Sequence, residues 1–236
     1  ITSKNDLLSL AAMVNKTILE MLYLALPSSV IILVLRIPLV RLAYGADSFP
    51  WAETVLTGKL VAILAISIAA RSLTHVLVRV FYSLHNTTTP FLTNLLSTII
   101  NIGLSYYFLF VLKSGVIGMA FAITVASLIE TVVLTGLLYS LANFATSHLL
   151  VPISKMLLIT LFTSISLWIP LRVLDTVIFD TTRTLPLILL TVTVGIIGMA
   201  VYISLSYLFN IKELGVFARL VEKIGGWHKA LSQSDE

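Results

Sequence analysis

The chain has 236 residues, of which 58% are hydrophobic and only 11% charged, with a formal net charge of +4; its mean hydropathy is +1.04. A soluble domain is about half apolar and about a quarter charged, so this chain has too little polar surface to cover a soluble core. That excludes a soluble globular enzyme, a disordered tail and a nucleic-acid-binding module, and it points to an all-α polytopic helix bundle with lipid as its solvent.

The basic balance, 15 Lys+Arg against 11 Asp+Glu, reflects acid-poor spans and basic loops rather than a nucleic-acid partner. The absence of cysteine excludes disulfides, thiolate metal sites and a cysteine nucleophile. The chain starts at Ile1 without the basic and apolar segments of a signal peptide, so it is expected to be a piece of a longer protein.

A hydrocarbon core of about 30 Å needs about 20 helical residues. Six stretches reach that length: Thr17–Val40, Val55–Leu84, Phe91–Leu112, Gly115–Ala142, Pro152–Leu171 and Leu185–Phe209. None alternates strictly, which argues against a transmembrane barrel. Tyr44-Gly45-Ala46-Asp47-Ser48 closes the first span. His85 to Thr89 separate the second from the third, and Pro90 suits the first turn of a new helix. Lys113-Ser114-Gly115 is so short that the third and fourth spans must be antiparallel neighbours. Residues 1–150 therefore group as four spans, 151–210 as a terminal pair and 211–236 as a tail. In the tail, Leu214, Phe217, Leu220, Val221 and Ile224 recur at helical spacing, and Lys212, Arg219 and Lys223 take other faces. That pattern predicts an amphipathic helix at the membrane surface, either an anchor or a lid, ended by Gly225-Gly226.

Orientation is read from basic residues near the span ends. Lys4, Lys16, Arg79, Lys155, Lys212, Arg219, Lys223 and Lys229 fall on one side. Arg36, Arg41, Lys59, Lys113, Arg172 and Arg183 fall on the other. The bias places both chain ends in the cytoplasm.

Charge inside hydrocarbon costs a few kcal/mol or more per residue, so it turns to a bundle interior or to water. Arg71 lies well inside the second span, and Arg71, His75 and Arg79 share one helix face. Together they suit an anionic substrate such as a phosphate; alternatively Arg79 snorkels to the interface and His75 is a neutral core group. The third span carries a polar stripe of Asn94, Ser97, Thr98, Asn101 and Ser105, and the fourth answers with Ala120, Thr124, Ser127 and Thr131. Such faces either bind helices together or line a wet cavity. Asn101, Ser105 and Thr124 offer neutral oxygens of the kind a hard monovalent cation prefers. Glu130, mid-span in the fourth helix, is protonated, paired with Arg71 or His75, or facing water. No catalytic or phosphate-loop motif is present, and His75, His85, His148 and His228 have no metal-ligand spacing.

Arg79 followed by Phe81-Tyr82-Ser83-Leu84-His85-Asn86-Thr87-Thr88-Thr89-Pro90 resembles the R-x-F-Y-A/S-x-x-D/N-T-x-T-P signature of the MurJ/MviN family of lipid II flippases. Leu26-Pro27-Ser28 followed by Pro38, and the run Gly115 to Thr124, are similar to two further family patterns in the same order. The resemblance implies the C-terminal part of a protein of about fourteen spans built from two lobes. The first four helices would close the second lobe, and the last two would be the added pair shaping a groove for a polyprenyl tail. It implies flipping of the undecaprenyl-pyrophosphate-linked peptidoglycan precursor lipid II across the bacterial cytoplasmic membrane by alternating access. The expected partners are that lipid-linked precursor, the missing N-terminal lobe and membrane lipids. No cofactor is expected beyond coupling to a monovalent cation or the membrane potential. Arg79 matches the signature arginine. Asn101 and Thr124 fall where some members place cation ligands, Ser105 stands where an acid can occur, and Glu130 where a neutral Asn is common. Gly45 and Phe49 lie further apart than in the family's usual G-x-F.

Two other function classes are distinguishable. A flippase for another polyprenyl-linked oligosaccharide shares the architecture. A membrane-embedded enzyme acting on a polyprenyl lipid would need convergent acids or a His-Asp pair, whereas the outer loops hold Asp47, Glu53, Asp175 and Asp180 with no histidine beside them.

Overall fold

The computed structural model describes residues 4–45, 49–142, 147–174 and 184–215. The elements run α1 (Lys4–Val34), α2 (Arg36–Tyr44), α3 (Trp51–Ser83), α4 (Thr88–Tyr106), a π-helical turn (Tyr107–Val111), α5 (Gly115–Ala142), α6 (Ser147–Val173), α7 (Thr184–Leu208) and a 3-10 turn (Lys212–Leu214). Among the described residues, six helices are long and apolar enough to cross a membrane. The fold is an all-α polytopic bundle.

The first, second and third spans begin earlier than expected, at Lys4, Trp51 and Thr88, and three further boundaries differ for local reasons. The first span was expected to run unbroken through Val40, but α1 ends at Val34 and α2 restarts at Arg36. Pro38 explains the break, because its ring would clash with the carbonyl of Val34 and its nitrogen donates nothing. Leu35, at the break, is buried between α6 and α7 against Leu167, Leu190 and Val194. The bend also lets α2 lean on α3 at Gly58, where a Cβ would sit 2.6 Å from Ile37 Cδ1. The third span ends in a π-helical turn, closed by the Ser114 amide and hydroxyl on the Phe108 carbonyl at 3.0 and 2.8 Å. The fifth span, α6, starts at Ser147, more than a turn before Pro152, because Leu149-Leu150-Val151 extends the apolar run. The expected amphipathic tail lies outside the described residues beyond Gly215; Leu214 packs against the main core.

Packing places α1 at the centre. It touches α3, α6 and α7, α3 in turn packs on α5, and α5 on α4. Half of the window spanned by α1 is buried, against 6% for α4 with its π turn, so α4 is an outer helix held almost solely by α5. Although α3 and α4 are joined by four residues, they barely meet. They diverge in a V with α5 behind them, and this divergence makes the site described below.

The α3–α4 turn shows why its sequence is so specific. His85 takes a left-handed φ of 56°, and the Asn86 amide donates to the Phe81 carbonyl at 3.0 Å. Asn86 Oδ1 accepts from the Thr89 amide at 3.1 Å and so caps α4. Pro90 then sits in the first turn, where a missing donor costs little. Phe81 is fully buried, while Tyr82 is exposed.

Pro27 lies inside α1. It removes the donor that would satisfy the Tyr23 carbonyl one turn back, and the Tyr202 hydroxyl of α7 donates to that carbonyl at 3.2 Å. The two rings pack with centroids 5.2 Å apart, and both residues are fully buried. The terminal helix pair is thereby tied to α1. Tyr202→Phe keeps the packing and leaves the carbonyl unpaired, so it should cost about 1 kcal/mol. Unfolding in mixed micelles would show this, and an unchanged midpoint would refute the role given to the hydroxyl.

Candidate functional site

The V between α3 and α4 encloses a cleft of about 200 Å³. Helical spacing decides what lines it. On α3, Arg71, Thr74 and His75 fall on one face; on α4, Asn94, Ser97, Thr98 and Asn101 recur every three or four residues. The floor is α5, with Ile123, Ala126, Ser127 and Glu130. Polar groups from three helices therefore meet in one cleft of the bundle.

Hydrogen bonds fix the floor. The single Thr131 hydroxyl proton is shared between the Ala70 carbonyl at 3.0 Å and the Ser127 carbonyl at 2.9 Å, and the hydroxyl lies 2.8 Å from that of Thr74. These bonds clamp α5 to α3 directly behind Arg71. Ser97 donates to the Ala126 carbonyl at 3.1 Å, joining α4 to α5. Asn94 Nδ2 donates to Glu130 Oε1 at 3.2 Å. Glu130 thus takes an amide rather than the Arg71 guanidinium as its partner, although both line the same cleft. Arg71, His75 and Arg79 all project outward on one exposed face of α3, with Arg79 beyond the cleft, towards the α3–α4 turn.

The three neutral-oxygen candidates are divided. Ser105 donates to Asn101 Oδ1 at 3.2 Å, so these two are together on α4. Thr124 is buried on the other side of α5, donating to the Ile63 carbonyl of α3 at 3.1 Å and to the Ala120 carbonyl at 2.9 Å. Asn101 faces the cleft and Thr124 does not. The signature residues Phe81, Tyr82, Asn86, Thr87, Thr89 and Pro90 lie at the α3–α4 turn, at the closed end of the V. Sequence reasoning missed Thr74, which a count of three from Arg71 puts on the same face. It also missed the binding of Thr131 to α3, for which the sequence carries no signal, since a buried threonine bonds equally well to its own helix.

The model of the family described as "Lipid II flippase MurJ" matches residues 2–179. "Probable lipid II flippase MurJ" of Bdellovibrio bacteriovorus is 25% identical over 206 residues, covering 87% of this chain and 38% of that protein. "Lipid II flippase MurJ" of Thermosipho africanus is 28% identical over 155 residues, 66% of this chain and 30% of that protein. A solved structure, "Lipid II flippase MurJ, inward closed conformation", has a TM-score of 0.61 at 23% identity over 84% of this chain and 40% of its own, which establishes likeness of fold. The chain therefore spans about a third of the length of these two curated relatives.

Proposed function

Since the chain belongs to the lipid II flippase MurJ family, we propose that it forms the C-terminal part of a transporter that carries lipid II across the bacterial cytoplasmic membrane by alternating access. The observation that carries this reading is the convergence of Arg71, His75, Asn94, Asn101 and Glu130 in one cleft between apolar spans. A transporter needs no covalent chemistry. It needs polar side chains that replace the water around a charged head group while the lipid tail stays in the bilayer.

The division of labour follows from the geometry. Arg71 and, when protonated, His75 supply positive charge for the pyrophosphate. Asn94 holds the Glu130 carboxylate at 3.2 Å, which leaves the guanidinium available to a phosphate oxygen. Asn101 and Thr98 provide hydrogen bonds for sugar or peptide groups. The Thr131 clamp keeps α3 and α5 moving as one body, so that rocking of a lobe carries Arg71 with the floor beneath it. Both chain ends lie on the cytoplasmic side, which puts the α3–α4 turn there and the α1–α2 break on the outer side.

The test is transport by the full-length protein that contains this chain. Reconstituted into liposomes loaded with labelled lipid II, it should bring the head group to the opposite leaflet faster than empty liposomes do. A protein that binds the lipid but leaves its leaflet distribution unchanged would overturn the reading.

A further inference from the structure

The cleft between α3 and α4 is not uniformly cationic. Arg71 and His75 stand on its α3 side, and Glu130 stands half-buried on the α5 floor. The α4 wall brings no charge, since its cleft residues are Asn94, Ser97, Thr98 and Asn101. Glu130 Oε1 accepts from Asn94 Nδ2 at 3.2 Å. A carboxylate has about four lone-pair sites on its two oxygens, so one amide N–H leaves most of its accepting capacity unused.

A cleft built for phosphate alone has no use for that carboxylate. A pyrophosphate on Arg71 would meet Glu130 across a cavity of about 200 Å³, and like charges that share a site oppose one another. An acid within a span is costly in itself, and such residues mark the path of a substrate or ion. Packing does not call for it either. Thr131 on the Ala70 carbonyl joins α5 to α3, and Ser97 on the Ala126 carbonyl joins α4 to α5. A positive group is therefore expected to enter the cleft beside the phosphate.

The donor set decides which kind. A metal cation is coordinated by several oxygens or nitrogens at once. Among the described residues no three His, Asp or Glu side chains converge, and Asn94 turns its N–H rather than its oxygen to Glu130. A primary ammonium asks for less. It is a compact charge with three donors, and one carboxylate with a spare oxygen satisfies it. The proposed cargo carries such a group. Peptidoglycan cross-links form through an amine on the peptide, so the precursor bears a primary ammonium as well as its pyrophosphate, and a flexible peptide lets the two approach. The cleft is smaller than a site for a whole drug-sized ligand, which suits a grip on charged ends alone.

We propose that Glu130 is the specificity-determining residue of the cleft, taking the peptide ammonium of the cargo while Arg71 takes its phosphate. This rests on the lipid II reading and deepens it: a neutral polyprenyl-linked oligosaccharide gives the carboxylate no counter-charge.

The test uses the full-length protein and two probes, lipid II with a free peptide amine and the same lipid with that amine acetylated, which removes the charge. Binding is measured in detergent and leaflet exchange in liposomes. Acetylation should weaken binding to the wild type about tenfold, the scale of one charged hydrogen bond. Glu130→Gln keeps an acceptor for Asn94; it should bind the free-amine lipid about tenfold more weakly and no longer tell the two lipids apart. The substitution and the acetylation together should cost no more than either alone. Glu130→Asp, which retains the charge, should still prefer the free amine. Equal binding of both lipids by the wild type would overturn the proposal. So would a Glu130→Gln variant that keeps the amine preference, that binds the free-amine lipid as tightly as wild type, or that loses both lipids to the same degree. Arg71→Gln should weaken both lipids equally, because it acts on the phosphate. Transport of neither lipid by the wild type would overturn the cargo reading and this inference with it, whereas equal handling of both defeats this inference alone.

Discussion

Arg71→Gln in the full-length protein is expected to lower lipid II transport by roughly 30- to 150-fold, the equivalent of a charged hydrogen bond worth about 2–3 kcal/mol. The argument starts from where the side chain sits. Arg71 lines the polar cleft yet is exposed within this chain, so its removal opens no packing void. The α3–α5 interface behind it is held by hydrogen bonds of Thr131 with Thr74 and with the Ala70 carbonyl, in which the Arg71 side chain takes no part. Stability should therefore change little and transport greatly. Glutamine removes the charge and shortens the side chain while keeping some hydrogen-bonding capacity. Lysine, which lacks the planar fork, should recover part of the activity. The measurements are complementation of cells depleted of their own flippase, with membrane abundance checked in parallel. Full complementation by Arg71→Gln at normal abundance would sink the assigned role. Loss of abundance matching the loss of growth would show instead that the residue is structural.

The spans were legible because lipid imposes a single rule, about 20 apolar residues per crossing, and each of the six expected stretches overlaps an observed helix. What escaped was everything decided by contact between helices. Pro38 was read through as part of one span to Val40, although proline breaks helices, and the buried seat of Leu35 against Leu167, Leu190 and Val194 makes the break a fixed bend. The face shared by Arg71 and His75 followed from helical counting. That α4 and α5 are neighbours followed from the tight Lys113-Ser114-Gly115 link; that α3 and α4 barely meet did not, because a short linker dictates proximity of helix ends and says nothing of the angle between axes. Thr124 illustrates the same limit. Its row on α5 could have faced α4 or α3, and a 3.1 Å bond to the Ile63 carbonyl decided for α3. The motif between Arg79 and Pro90 was readable as a family mark, whereas its physical work, capping α4 through Asn86 and burying Phe81, required coordinates.

Residues 1–236 alone are expected to give no lipid II transport above that of empty liposomes. Alternating access needs walls on both sides of the substrate, and this chain contributes one. Its cleft is open, with Arg71 and His75 on an exposed face of α3 and Thr98 and Asn94 exposed on α4. Placed in lipid without a partner, each such polar group costs on the order of a kcal/mol or more. The outer helix α4 also presents Phe91, Leu95, Ile99 and Ile102, an apolar face suited to lipid or to further helices. The isolated chain should relieve the polar exposure by association, either with the remainder of the protein or with itself. Two arms distinguish these outcomes. Liposomes holding residues 1–236 are compared with liposomes in which the preceding portion of the same protein is co-expressed and co-purified, and leaflet exchange of labelled lipid II is followed in both. Co-purification should restore exchange toward the full-length rate, and Arg71→Gln in this chain should abolish that recovery. Exchange by residues 1–236 alone at a rate near that of the full-length protein would defeat the two-wall argument. These six helices would then form a complete pathway, and crosslinking across the α3 and α4 faces should reveal a symmetric pair with the Arg71 side chains turned toward one another.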